Sequence, residues 1–469
     1  MSSDANKRII FLEFNELCPT LLEKWMADGS LPNFKSLYNE SAVFVTESDE
    51  TNPQNMEPWI QWYSLHTGLP FSEHKVFHLT DGPKGGHADV WQILRENGQK
   101  VMNFSSMNAK GLAGSGVVFF PDPWCTSEQA APVELNILHQ FIANRIQEYT
   151  NPNQQNGLAA NLRVVAFLLS HGLSLRTIAT LIRQLIAEFT SKGASSWKRV
   201  FIMNRLLLDV FKHYWRSEPP NFATFFSNST AHLQHSYWRH MDQAAFEVKP
   251  PKAEVEIYAN AILAGYKDMD AMLGEFRKFA RDNNATLMFA TALSQQPFLK
   301  YEATGGQHFY RPHDVDGLLH TLGIQYKDCF PVMTHQYQMI FSSSDDRLRA
   351  EQALNTLYLG DRQVFELTSS DPNKLYFGCQ INRSVPPDAS ITLAGKENGA
   401  IPFNKWFYKI DALKSGRHHP DGCFWIQTGT HSISQHKVSI LDILPTVLRS
   451  FSVTRSALPG KVLSQKINN

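Results

Sequence analysis

Cysteine is scarce in this sequence, and the cysteines present are not spaced for a metal site or a disulfide framework. Only five occur in 469 residues, and no two of them form a Cys-x-x-Cys pair. An odd number of scattered cysteines is typical of free thiols in a reducing compartment. We therefore expect a cytoplasmic protein whose fold depends on its apolar core rather than on cross-links.

Neither a surplus of charge of one sign nor a long apolar run is present. Lys and Arg number 44, as do Asp and Glu, so the formal net charge is zero. Nucleic-acid-binding proteins usually have a basic surplus, so we do not expect nucleic acid as a partner. No run approaches the roughly 18 apolar residues of a membrane span. The first run, 9–12, is too short to predict a signal peptide.

Hydrophobic residues make up 43% of the chain and aromatic residues 12%, which is typical of a folded globular protein with a large core. Short apolar runs alternate with segments of helical spacing. This order predicts an α/β fold in which a mostly parallel sheet is sandwiched by helices. The predicted buried strands cover residues 8–14, 42–46, 101–104, 222–226 and 286–291.

Residues 131–220 have a different pattern, with long helical periodicity in which Lys and Arg recur. We interpret this segment as a helical insertion into an α/β domain formed by residues 1–130 and 221–469. Basic amphipathic helices can lie on a membrane surface. A cap on the sheet is the preferred interpretation, and the membrane surface remains the alternative. The sequence does not indicate an oligomeric state.

Five groups of segments occur in an order that resembles the alkaline phosphatase superfamily, and within it the type I phosphodiesterase and nucleotide pyrophosphatase branch. One of them, Thr67-Gly68-Leu69-Pro70 followed by His74, is similar to a turn of that branch. The matching segments are residues 11–19 with 29–34, 57–70 with His74, 225–238, 286–297, and 418–422 with 442–448. The resemblance implies an alkaline phosphatase-like fold over most of the chain except residues 130–220.

The resemblance also implies a reaction centre in which two zinc-like ions activate a Ser or Thr nucleophile and bind a phosphoryl oxygen. Here the first-strand Asp of the family falls on Asn15, and the nucleophile position falls nearest Glu57. In the segment matched to the family's central Asp-x-x-x-His, Ala231 replaces the Asp and His235 retains the imidazole. The family's Asp-His pair becomes Ser294-Gln295.

The late metal-binding His of the family corresponds to His419, or to the adjacent His418. Two close dications need carboxylates to compensate their charge, and the matched positions lack them. The resemblance therefore implies at most one divalent cation, zinc or manganese, with His235 and His419 as ligands. A conventional two-metal site is not expected.

Each candidate residue also has a structural interpretation. Glu57 precedes a helix and could serve as its cap. Asn15 could have no role beyond stabilising a turn. His232 and His235 share a segment that we interpret as a short loop. The matched positions favour a site instead. The expected catalytic residues are Glu57, Asn15 and His232. The expected substrate-binding residues are Glu13, Gln295, Gln296 and His308.

Two functions remain open from the sequence. The first is a hydrolase or transferase in which Glu57 is a general base or a carboxylate nucleophile. Its substrate would be a phosphate-bearing small molecule (a sugar phosphate, a sugar nucleotide or a lipid-linked sugar) used in surface polysaccharide assembly. The second is an inactive binding or scaffold protein with the same fold. The enzyme hypothesis predicts that Asn15, Glu57, His235 and His419 converge at the carboxyl ends of the parallel strands.

Overall fold

The computed structural model of the protein describes residues 7–53, 55–125, 127–147, 157–332, 335–369, 371–393, 400–410 and 413–464. The helices are α1 Pro19–Ala27, α2 Pro32–Tyr38, α3 Pro58–Thr67, α4 Phe71–His74, α5 Val90–Glu96, α6 Asn136–Gln147, α7 Leu158–Ser170, α8 Leu175–Thr190, α9 Arg199–Ser217, α10 Ser229–Met241, α11 Lys252–Tyr258, α12 Ala261–Asp282, α13 Val315–Thr321, α14 Ser344–Leu354, α15 Phe403–Trp406 and α16 Ile443–Ser450.

The strands divide between one large sheet and several small ones. They are β1 Ile9–Phe14, β2 Ser41–Glu47, β3 Val101–Phe104, β4 Val117–Phe120, β5 Phe222–Ser227, β6 Thr286–Ala290, β7 Ser294–Pro297, β8 Phe309–Pro312, β9 Asp328–Pro331, β10 Gln336–Ile340, β11 Leu357–Leu359, β12 Arg362–Gln363, β13 Phe365–Thr368, β14 Lys374–Cys379, β15 Ser390–Leu393, β16 Ile401–Pro402, β17 Phe407–Ile410, β18 Gly416–His419, β19 Asp421–Gln427, β20 Ser432–Ile433 and β21 Val438–Ser439.

In the described part of the chain, the large sheet has nine strands in the order β20-β2-β19-β6-β1-β5-β3-β4, with β21 also paired to β2. β1 pairs in parallel with β5 and β6, and β3 pairs in parallel with β4 and β5. Among the strands of the described residues in this sheet, β19 alone runs antiparallel to its neighbours, β2 and β6. The mostly parallel α/β fold expected from the sequence is thus confirmed.

Both faces of the sheet are buried under helices. All six residues of β1 are buried. Ile10 and Leu12 face one hydrophobic cluster, which also takes in residues of α6, α7, α9 and α12. Ile9 and Phe11 face the other, which includes residues of α3, α5 and α16. Strands buried on both sides read as continuous apolar runs, and this is why the sequence predicts them well.

A third hydrophobic cluster lies outside the large sheet and is formed entirely within the span from Tyr310 to Phe407. Two four-stranded sheets, β13-β14-β10-β9 and β12-β11-β15-β16, belong to this part of the chain. After it the chain returns through β18, which pairs antiparallel with β7, and then enters the large sheet as β19.

One local expectation is wrong. The segment that contains His232 and His235 is helix α10 rather than a loop, because Thr230, Leu233 and Trp238 recur at helical spacing and are buried. Residues 252–282 are helical almost throughout and form the two helices α11 and α12. The C-terminal helix begins at residue 443, since the preceding residues extend the sheet as β21 and then form a capping box.

Candidate active site

Three parallel strands end close together and bring polar side chains to one edge of the large sheet. Asn15 and Glu16 follow β1, Asn228 follows β5 and leads into α10, and β7 begins shortly after β6. β19 runs in the opposite direction, so the residues just before it reach the same edge. Ligand sites of open α/β sheets lie in this position, beyond the carboxyl ends of the strands.

Glu16 is the centre of the site. Its backbone adopts a left-handed conformation with φ of 63°, which is uncommon for a residue with a side chain. Its Oε1 accepts a hydrogen bond of 2.8 Å from Asn15 Nδ2, and its Oε2 accepts one from Gln295 Nε2. The backbone carbonyl of Glu16 accepts from Gln234 Nε2 at 2.9 Å. The side chain is buried; two amide side chains fix its carboxylate, and a third amide fixes the backbone of the same residue.

His235 approaches the carboxylate from α10. Its Nε2 lies 3.2 Å from Glu16 Oε2, and its Nδ1 lies 3.2 Å from the carbonyl oxygen of Gly416. A carbonyl oxygen can only accept, so Nδ1 carries the hydrogen in this arrangement. In the neutral imidazole the lone pair of Nε2 therefore points toward Glu16, as in metal-binding histidines whose second nitrogen donates to a carbonyl.

His418 lies beside His235 on β18, with the two ring centroids 5.2 Å apart. β18 can pass this close to α10 because residue 416 is glycine; a Cβ there would lie 2.6 Å from the carbonyl oxygen of Gln234. Nε2 of His418 is 3.6 Å from Glu16 Oε2. The Nε2 atom of His418 is buried and has no hydrogen-bond partner among the described residues.

The protonation states of these groups suit metal binding. Burial by itself would raise the pKa of Glu16, but His418 and His235, together with a hydrogen bond from Gln295, lower it to about 2. Burial lowers the pKa of His418 to about 4, although Glu16 opposes this shift. At neutral pH the carboxylate is thus ionised and the His418 imidazole is neutral.

One ligand atom from each of Glu16, His235 and His418 lies within 4.8 Å of the others, and we call these residues the cluster. Ligand atoms around a tetrahedral zinc ion are about 3.4 Å apart, and one carboxylate with two imidazoles is a known zinc donor set. The unpartnered Nε2 of His418 also points into the cluster. The cluster fits a single divalent cation.

Asn15 and Gln295, which stand at positions matched to metal ligands of the family that the sequence resembles, do not fit another cation. The amide of Asn15 is already hydrogen-bonded to Glu16, Asn228 and Trp62. The amide of Gln295 donates to Glu16 and to the carbonyl of Ala231. Both side chains are neutral, and a second dication beside the first would lack compensating charge.

Glu57 stands at the edge of the cluster. It occupies the N-cap position of α3, yet its side chain makes no capping hydrogen bond. Its Oε2 lies 3.5 Å from His418 Nδ1 instead. Burial raises the pKa of Glu57. Lys414 and His235 oppose this shift, Glu16 adds to it, and the resulting pKa is about 7. A carboxylate with a pKa raised toward neutrality is suited to general-base catalysis.

Asn15 positions Glu16 through a buried network. Its Nδ2 donates to Glu16 Oε1 at 2.8 Å and to Asn228 Oδ1 at 2.7 Å, while its Oδ1 accepts from Trp62 Nε1 at 2.7 Å. An aspartate here could not donate to either oxygen. The neutral amide is therefore what allows Glu16 to be the single carboxylate of the cluster.

We expect Asn15→Asp to destabilise the metal-free protein by about 2–4 kcal/mol at neutral pH, because it places a carboxylate against Glu16. The repulsion raises the folded-state pKa of the new carboxyl, so stability is lost as pH rises and regained on acidification. Denaturant unfolding after chelation, at neutral and mildly acidic pH, measures this. The control Asn404→Asp is exposed and should change stability by less than about 0.5 kcal/mol. Equal stability of Asn15→Asp and wild type at both pH values would contradict the network.

The remaining predicted residues occupy other positions. His232 lies one helical turn before His235 on α10, and burial, with a smaller contribution from His235, lowers its pKa to about 4. Gln296 donates to the carbonyl of His418 at 3.1 Å and so supports β18. Glu13 is buried beneath α3, where its Oε1 is 2.8 Å from His66 Nε2.

His308 and His419 are also placed outside the cluster. The backbone N–H of His308 donates to the carbonyl of Asn382, and Nδ1 of His419 accepts from the backbone N–H of Asp421 at 3.1 Å. Among the hydrogen bonds and ion pairs of the described residues, none joins Glu13, His308 or His419 to the cluster. Of the two late histidines, the structure brings His418 to the site, because adjacent residues of a strand point to opposite faces.

Two residues of the site escaped the sequence analysis. Glu16 directly follows Asn15, so an acidic residue one position beyond the matched Asp was the available signal. Lys414 has no sequence signal, since it precedes β18 after the part of the chain that forms the third hydrophobic cluster. Burial lowers the pKa of Lys414, while Glu57 and Glu16 raise it.

Comparison with known proteins identifies the family. The sequence model of the family described as type I phosphodiesterase / nucleotide pyrophosphatase matches residues 10–292, which is more than half of the chain. The chain belongs to this family. The family consists of hydrolases that act on phosphate esters, and its superfamily typically binds divalent metals. No curated protein matches the chain.

Several solved structures are similar to the chain at low identity. Murine ectonucleotide pyrophosphatase / phosphodiesterase 5 is 10% identical, with 97% of this chain and 98% of that chain covered and a TM-score of 0.40. The human protein of the same name is 9% identical, with 97% of each chain covered and a TM-score of 0.41. Phosphonoacetate hydrolase from Sinorhizobium meliloti, in complex with phosphonoformate, is 12% identical, with 96% of each chain covered and a TM-score of 0.38.

Proposed function

We propose that the protein is a phosphate-ester hydrolase or transferase that works with one divalent cation, zinc or manganese. The observation that carries this proposal is the convergence of Glu16, His235 and His418, with Glu57 3.5 Å from His418, at the carboxyl edge of the sheet. Membership of a family of phosphate-ester hydrolases supports the same reaction class.

The cation would be bound by the Glu16 carboxylate and by Nε2 of both histidines. When bound, it supplies Lewis-acid polarisation of a phosphoryl oxygen. Gln295 and Asn15 hold the Glu16 carboxylate in place, and the carbonyl of Gly416 orients His235. Such supporting hydrogen bonds fix the direction and basicity of metal ligands.

Glu57 is the base in this mechanism. Water, or a hydroxyl group of an acceptor, attacks phosphorus and passes its proton to the Glu57 carboxylate, while the bond between phosphorus and the departing oxygen breaks. With water the outcome is hydrolysis, and with another hydroxyl it is transfer. Direct attack by the Glu57 carboxylate is the alternative, and it would leave a phosphorylated glutamate that water then cleaves.

Lys414 binds the anionic substrate. It is half-buried, with Nζ 5.0 Å from the ring centroid of Phe298, and it interacts electrostatically with Glu57 and Glu16. An ammonium group in this position offsets the charge of a phosphoryl group entering beside two carboxylates. The substrate classes that we propose are sugar phosphates, sugar nucleotides and lipid-linked sugars, with a role in surface polysaccharide assembly as the corresponding biological setting.

Metal analysis combined with a substrate panel tests this function. We expect close to one equivalent of zinc or manganese in the purified protein, and turnover of at least one phosphomonoester or phosphodiester in a panel that includes the three classes. Activity should disappear after chelation and return when metal is added. Protein without metal that turns over no member of the panel would contradict the proposal. That outcome would favour the alternative of an inactive binding protein, which the missing Ser or Thr at position 57 supports.

A further inference from the structure

Helix α8 is oriented with its polar side toward the protein and its apolar side toward solvent. Thr177 and Gln184 are buried, whereas Leu175, Leu185 and Phe189 are 84%, 66% and 87% exposed. The outward stripe repeats every three or four residues along the helix, so its members share one face. Its exposed members are Leu175, Ile182, Leu185, Ile186 and Phe189.

Specific polar contacts fix this orientation. Gln184 Nε2 donates to Glu188 Oε1 and to the carbonyl of Ser195, both at 2.8 Å. Glu188 forms a two-point ion pair with Arg199 at 2.8 and 2.5 Å, which ties the end of α8 to the start of α9. Turning the apolar stripe inward would break these contacts. The exposure of the apolar stripe is therefore a property of the folded structure, fixed by these polar contacts.

The preceding helix α7 exposes an apolar stripe of its own. Leu158, Leu162, Val165 and Leu169 are exposed on one side, while Val164, Phe167 and Leu168 on the other side join the core. Soluble proteins rarely expose contiguous apolar surface of this kind without a partner. Among the described residues, no helix is long and apolar enough to cross a membrane.

The charge around the two stripes indicates which partner would cover them. Residues 158–199 contain six basic residues and one acidic residue, although the whole chain is neutral. The single acidic residue, Glu188, is already paired with Arg199. Arg183, next to Ile182 in the stripe, is exposed, as are Lys192 and Lys198. Arg176 is paired with Glu275 at 2.7 Å, and the remaining basic residues still leave a basic excess around the apolar stripes.

We propose that the exposed face of α7 and α8 binds the surface of an anionic lipid membrane, with the apolar stripes inserted among the lipids and the basic residues at the headgroups. Apolar burial and attraction to anionic lipids both contribute to such binding. A second copy of this chain fits less well, because a symmetric dimer would bring the same basic surface against itself.

Vesicle co-sedimentation with the full chain tests this proposal. One set of vesicles contains phosphatidylcholine alone, and in the other about a third of it is replaced by phosphatidylglycerol to supply negative charge. We expect the wild type to bind the anionic vesicles, and to bind them more weakly as salt increases. The triple variant Ile182→Gln, Leu185→Gln, Phe189→Gln should bind at least about tenfold more weakly. Its substitutions are all exposed, so thermal unfolding should be unchanged.

Two further variants separate the contributions. Arg183→Gln with Lys198→Gln should reduce the preference for anionic vesicles by about tenfold or less. The control Leu348→Gln alters an exposed leucine of α14, in another part of the chain, and should bind like the wild type. Absence of binding by the wild type, or an equal loss in the Leu348 control, would overturn the proposal. A dimer in light scattering that the triple variant abolishes, without vesicle binding, would overturn it in favour of self-association.

Discussion

Glu16→Gln is expected to remove the bound divalent cation and to lower phosphate-ester turnover by at least about a hundredfold. Glu16 is the only carboxylate of the cluster, so its loss leaves two imidazoles and no negative charge to hold a dication. Glutamine has nearly the same shape, and so the variant should fold. Metal content and turnover are measured on the same preparation.

Thermal stability gives an independent reading of the same variant. A ligand that binds only the folded state stabilises it by about 2.7 kcal/mol at a hundred times its Kd. Wild type should show such a metal-dependent increase, and Glu16→Gln should not. Without metal the variant should be less stable than wild type at neutral pH, because Asn15 and Gln295 each donate to one oxygen of the carboxylate and a glutamine amide cannot accept both hydrogen bonds. Retention of metal and activity by Glu16→Gln would refute the assignment of the cluster.

The second large effect is expected at Glu57. Glu57→Gln should retain the metal but lose about a hundredfold to ten-thousandfold in turnover, the usual contribution of a general base. Its side chain lies 3.5 Å from His418 but is not one of the three clustered ligands. Metal analysis therefore separates the role of Glu57 from that of Glu16.

Controls distinguish a base from a nucleophile and from a structural residue. Glu73→Gln removes an exposed carboxylate from the nearby helix α4 and should leave turnover unchanged. Quenched reactions should contain a phosphorylated enzyme if the Glu57 carboxylate attacks phosphorus, and none if it only accepts a proton. Wild-type turnover in Glu57→Gln would exclude both roles.

The sequence was most informative where local pattern and tertiary structure agree. The strands at 101–104 and 222–226 were predicted well, because central strands buried on both faces have continuous apolar sequences. Helix α10 was misread as a loop. The sequence signal for this helix is the helical spacing of Thr230, Leu233 and Trp238, which are buried.

The composition of the site was harder to predict than its location. Asn15, Glu57 and His235 were identified by their positions in segments that resemble the family. Glu16 was missed, because its role depends on a left-handed backbone turn that directs its carboxylate toward residues more than two hundred positions away. Sequence spacing does not encode such a turn at a residue with a side chain.

By itself, the sequence determined the α/β class, the mostly parallel sheet, the helical segment before residue 221 and the family. These follow from the periodicity of apolar residues and from the order of short motifs, which are local properties of the chain. Only the tertiary structure decided which polar residues meet. Glu16, His235 and His418 come from three distant segments that converge only after β1, β5 and β19 have joined one sheet. The outward direction of the apolar side of α8 was likewise decided by buried contacts of Gln184, since periodicity defines an apolar face but not the direction in which it points.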